Sequence, residues 1–118
     1  MLVTFEMISE NVNTSYKVFG KKEGNVLIFP DKSVPNTTIK VYINADWIEI
    51  IRIGNVNMKQ SFKLNKKEFG FYRNDLGMEF KIASFTKEMT ITENSVTLIY
   101  DNYLENEYQS SNKLKILF

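Results

Sequence analysis

The sequence predicts an all-β fold: one antiparallel up-and-down β-barrel of about eight to ten strands, formed as a single domain over residues 1–118. Three observations point there. Apolar and polar residues alternate with period two along most of the chain, the mark of half-buried strands. No stretch of ten or more residues carries a helical apolar stripe. Turn residues (Gly, Asn, Asp, Pro) recur at short intervals, too close together for the long connections of a Greek key. A sheet of that many strands has to split or close on itself to remove its edges, and short sequential connections favour closure.

Each element has its own warrant. Met1 to Ile8 alternates loosely, with Val3, Phe5 and Met7 on one face. Asn13 to Phe19 follows as a second strand, and Gly20 to Asn25 is read as a turn before Val26–Phe29. Pro30, Asp31, Ser33 and Pro35 form an irregular loop, because proline donates nothing to a central ladder. Thr37 to Ile43 alternates again, and Asn44-Ala45-Asp46 turns the chain into a hairpin running from Trp47 to Phe62. After Asn65-Lys66-Lys67 come Phe69 to Arg73, the turn Asn74–Gly77, then Met78–Phe85, Met89–Thr92, Ser95–Tyr103 and Lys113–Phe118. Glu93-Asn94 is another turn. The polar interval Glu105 to Asn112 reads as a loop tip or a fraying hairpin.

Composition narrows the chemistry. The chain has no cysteine and no histidine, which removes thiolate nucleophiles, disulfides and the commonest acid/base and metal ligand. Ser-His-Asp catalysis and zinc hydrolysis are excluded, no cofactor motif is present, and no enzymatic activity is expected. A net charge of +1 with interspersed signs argues against a partner read through its phosphates. The amino terminus has neither a basic segment nor a long apolar run, and no run approaches the roughly 20 residues of a spanning helix. A cytoplasmic protein without membrane or nucleic-acid partners is the expectation; a protein partner is left unspecified.

The hairpin is the most informative segment. With a two-residue turn at Gly54-Asn55, Ile51 pairs with Met58 and Glu49 with Gln60, and Arg52 lies on the opposite face. With a three-residue turn and a glycine-assisted bulge, Arg52 pairs with Met58 and Ile50 with Gln60. One residue of slip exchanges the faces. In the second register Arg52, Gln60 and Tyr72 point inward and Glu49 outward. Arg52 and Arg73 are the only arginines, hence the only forked planar donors.

The residues Arg52-x-Gly54-x-x-x-Met58-x-Gln60-x-Phe62, then Tyr72 and Gly77, resemble the signature of the YwiB-like bacterial proteins of unknown function. That resemblance implies a calycin-like, lipocalin-type barrel in a cytoplasmic setting, and no activity. The chain departs from the family after Gly77, where a threonine is usual and Ile82-Ala83-Ser84 stands here.

Two function classes remain. In the first, the barrel binds a small, mainly apolar ligand whose polar end is fixed by Arg52, Gln60 and Tyr72. In the second, those residues form a self-satisfied plug in a side-chain-filled barrel, and the outer face (Trp47, Ile48, Ile51) serves a protein-interaction or scaffolding role. Phe69-Gly70-Phe71-Tyr72-Arg73 echoes an RNA-binding strand, but Glu68 replaces a glycine of that motif and its helices are missing. The clustered Lys63, Lys66 and Lys67 read as a solvated strand end.

Overall fold

The computed structural model describes residues 1–10 and 12–118. Eleven strands follow one another: β1 (Leu2–Ile8), β2 (Asn13–Phe19), β3 (Lys21–Glu23), β4 (Val26–Pro30), β5 (Thr37–Ile43), β6 (Trp47–Gly54), β7 (Asn57–Lys63), β8 (Lys67–Arg73), β9 (Glu79–Ile91), β10 (Ser95–Leu104) and β11 (Glu107–Leu117). No helix occurs among the described residues. All belong to one sheet in the order β2-β1-β11-β10-β9-β8-β7-β6-β5-β4-β3, with every named neighbour antiparallel. First and last strands are adjacent, Phe5 standing opposite Ile116.

Eleven strands stand against the roughly eight to ten expected, and their bounds differ from the sequence reading for local reasons. Lys21–Glu23, read from sequence as part of a turn, pairs with Val26–Ile28. The polar interval after Leu104 continues the ladder, with Leu104 opposite Glu107 and Tyr103 opposite Tyr108. Glu105 and Asn106 take positive φ at that tip, which leaves a two-residue turn. Met78–Phe85 and Met89–Thr92 merge into the single strand β9, whose register slips where it meets Ile99 and Tyr100.

The barrel closes through the chain itself. β2 and β3 lie at opposite ends of the sheet order, yet only Gly20 separates them. One bent strand thus pairs with β1 by its first half and with β4 by its second. A side chain at Gly20 would meet the Ile28 carbonyl oxygen at 2.6 Å and the Phe29 Cβ at 2.9 Å, so the bend needs a residue without one. Gly20 also exchanges two hydrogen bonds with Met1, both 2.9 Å.

Alternation fills the bore. Val3, Phe5, Leu27, Phe29, Ile39, Val41, Ile48, Ile50, Phe62, Leu98, Leu114 and Ile116 are buried in one cluster. Ile48 is fully buried, which corrects the reading of Trp47, Ile48 and Ile51 as one outer apolar face: in the observed register Ile48 lies opposite Phe62, and the strand turns it inward with Ile50. In the middle of the bore the Phe62 and Tyr100 rings meet edge to face, 4.8 Å between centroids.

Candidate functional site: the polar half of the bore

The turns between β1 and β2, β4 and β5, β6 and β7, β8 and β9, and β10 and β11 gather at one end of the barrel, as the meander requires. Side chains facing the bore change character toward that end. Asp31, Thr37, Gln60, Ser84, Thr86 and Asn112 are all buried, and Arg52 and Tyr72 stand among them on the inner face.

The β6–β7 hairpin decides this arrangement. Arg52 is opposite Met58 and Ile50 opposite Gln60, the register of the longer turn. Gly54 at φ 145 makes the kink, and its N–H and C=O are held by the Asn57 side chain at 3.3 and 3.1 Å. Arg52 is thereby carried inward, while Glu49 lies outside, 3.9 Å from the Lys59 ammonium.

Arg52 and Gln60 do not satisfy each other. The Arg52 Nε donates to Asp31 Oδ2 at 3.2 Å, and an Nη makes a weaker contact with the Met58 sulfur at 3.5 Å. The Asp31 side chain is 1% exposed and that of Arg52 16%. The other Asp31 oxygen accepts from the Ser33 N–H at 2.9 Å and its hydroxyl at 2.6 Å. Asp31 is the member of the cluster that the sequence alone does not place there. The sequence places it in an irregular loop, and only the pairing of β4 with β5 and β5 with β6 brings it, 21 residues upstream, beside Arg52.

Gln60 belongs to a second group centred on Tyr100. The Tyr100 hydroxyl donates to the Met7 sulfur at 3.7 Å. Burial pushes its pKa up, and the Asn112 and Gln60 side chains facing its oxygen work against that rise. Asn112 in turn accepts from the Ser110 hydroxyl at 3.0 Å. Tyr72, opposite Met58 on the next strand, packs its ring 6.3 Å from that of Phe80. It flanks the cluster at the mouth and forms no side-chain hydrogen bond with Arg52 or Gln60 among the described residues.

Among the described residues two buried polar atoms in this region, Thr86 Oγ1 and Asn102 Oδ1, lack a partner, while the Tyr16 hydroxyl lies near Asp31 and the Lys32 backbone. The Tyr16 ring stacks on Phe5 at 5.0 Å and directs its hydroxyl toward Asp31. Burial raises its pKa strongly, the Asp31 carboxylate adds to the rise, and the Arg52 guanidinium opposes it. Thr86 and Asn102 come from adjacent strands, Thr86 opposite Tyr100 and Asn102 opposite Ser84. Each unpaired buried group costs about 1–3 kcal/mol, and native proteins keep few of them. The arrangement therefore offers donors and acceptors around an already neutralised ion pair, walled on one side by Met58, Tyr72 and Phe80. No trio of Asp or Glu carboxylates converges as a metal cage among the described residues.

A family described as a domain of unknown function (DUF1934) matches residues 4–116. Among solved structures, the crystal structure of the ywiB protein from Bacillus subtilis is similar, with a TM-score of 0.70 at 15% identity, covering 98% of this chain and 85% of that one. Likeness at that identity speaks for the fold. No curated protein matches the chain. No helix is long and apolar enough to cross a membrane among the described residues.

Proposed function

This chain belongs to the DUF1934 family, and we propose that it binds a compact small molecule, polar group first, in the polar half of its barrel. The observation that carries the reading is the pair of buried atoms without a partner among the described residues, Thr86 Oγ1 and Asn102 Oδ1, on the inner wall that also presents Arg52 and Gln60. Arg52 has five N–H donors, and Asp31 and Met58 engage two of its nitrogens. The rest are free for a ligand oxygen. The ligand's apolar part lies against Met58, Tyr72 and Phe80. Because Phe62 and Tyr100 block the bore behind the cluster, the ligand is shallow and short rather than a long chain threaded along the axis. Binding is without turnover, in a cytoplasmic setting: with no histidine or cysteine in the sequence, the groups at hand are suited to holding rather than transforming.

Native mass spectrometry of the protein purified from its own cells tests this. The expected result is a retained adduct of small mass, which Arg52→Met combined with Asp31→Asn removes while the circular dichroism spectrum is kept. Clean apo protein across repeated preparations, with no stabilisation by the small polar metabolites extracted from the same cells, would make the cluster a structural plug.

A further inference from the structure

A second opening lies in the wall, away from the mouth. β7 and β8 are paired only from Asn57–Lys59 to Phe71–Arg73. Beyond that they part, and the end of β7 reaches past β8 to touch β9, where Leu64 bridges Thr86 and the Asn65 N–H donates to the Thr86 carbonyl at 2.8 Å. Between the separated strands is a cleft of about 170 Å³, lined by Trp47, Ser61, Phe62, Lys63 and Glu68. A cavity of roughly 150 Å³ accepts a benzene-sized guest, so the cleft fits a molecule of that bulk.

Its lining carries opposite charges set on opposite walls. Lys63 stands directly across from Trp47 on the outer face of the β6–β7 ladder. Glu68 comes from β8, opposite the buried Ser84. Both charged residues are half-buried, yet neither forms an ion pair among the described residues. The indole supplies a π face that attracts a cation, and the Ser61 hydroxyl supplies a donor and an acceptor. Where the ladder opens, the strands' own N–H and C=O groups are left to find partners.

We propose that the window between β7 and β8 is a binding site for a compact zwitterion of the α-amino-acid class, its carboxylate held by Lys63 and its ammonium by Glu68 and the Trp47 face. A cation alone would meet Lys63 repulsion, and an anion alone would meet Glu68. This site is separate from the mouth cluster and stands or falls independently of it.

Isothermal titration calorimetry with L-leucine, followed in parallel by the emission of Trp47, tests the assignment; Trp47 is the only tryptophan, so its signal reports location. The expected result is saturable binding with a shift in emission. Isoamylamine and 4-methylpentanoate, each with one charge, should bind at least about tenfold more weakly. Glu68→Gln and Lys63→Gln should each weaken leucine by a similar factor, and Lys17→Gln, at an exposed position of β2 outside the cleft, should leave it unchanged. Absence of binding at millimolar leucine, equal binding of either one-charge analogue, or binding that leaves Trp47 emission and both variants unaffected would each overturn the proposal.

Discussion

Arg52 is tolerable inside the barrel wall because Asp31 meets it there with a carboxylate whose second oxygen is already held by Ser33. Removing one partner of a buried pair leaves the other charge desolvated, at a cost of about 3 kcal/mol or more. Arg52→Met is thus expected to destabilise the protein by about that much, and Arg52→Met with Asp31→Asn to recover most of it; urea unfolding of the parent, singles and double measures both. Gln60→Leu, which loses only a neutral contact near Tyr100, should cost about 1 kcal/mol. A larger effect for Gln60→Leu than for Arg52→Met would show that Asp31 is not the partner that matters. Tyr16 and Tyr100 add a pH dependence. Burial raises both pKa values above the ordinary value near 10, so the unfolded chain releases these protons first. Their contribution is intact below about pH 10 and is lost as pH climbs toward the raised folded values. Denaturant midpoints measured across that range should fall more steeply for the parent than for Tyr16→Phe with Tyr100→Phe.

The β7–β8 pair shows how an element can be specified by the absence of a side chain. A Cβ at Gly70 would lie 1.9 Å from the Lys59 carbonyl oxygen and 2.9 Å from its carbon. These are backbone atoms, which no rotamer change can move. Gly70→Ala must push β8 off β7 in the short stretch where they pair, and overpacking of this kind costs about 1–3 kcal/mol. The expected outcome is destabilisation at the upper end of that range, with hydrogen exchange accelerated first at Asn57–Lys59 and Phe71–Arg73. Gly24→Ala, where nothing lies within 4 Å and only a φ of +60 is demanded, should cost about 1–2 kcal/mol and leave exchange in those strands unchanged.

For the molecule as a whole, closure rests on eleven residues from Asn13 to Glu23, whose two halves border opposite edges of the sheet. Thr4 stands opposite Leu117 where the β1–β11 pairing ends, so a short linker can join the two ends of this chain and openings can be made elsewhere. Opening at Asp75-Leu76, in an exposed turn, should be tolerated. Opening between Gly20 and Lys21 releases the covalent link between the edges and should lower the melting temperature by at least about 5 °C relative to the first permutant, a difference on the order of 1 kcal/mol. Equal melting temperatures would mean that packing alone holds the barrel shut.

Much of this architecture was legible in one dimension, since period-two patterning and turn residues act within a few positions and each strand declares its buried face alone. The hairpin also named its inward residues, Arg52, Gln60 and Tyr72, once the longer turn was allowed. Lys21–Glu23 was not legible because it is polar throughout and becomes a strand only when a partner ladder captures its backbone, and the same capture decides the hairpin over the loop tip at Glu105–Asn112. Asp31 was hidden for a related reason: a carboxylate after a proline has the local chemistry of a loop, and its burial depends on a guanidinium two strands away. The sequence by itself determined an all-β barrel and which side chains alternate inward, because those follow from near-neighbour sterics and hydrophobic burial. Only the tertiary structure decided which polar groups meet, which are left without partners, and where the wall opens, because those depend on register summed around the whole circumference.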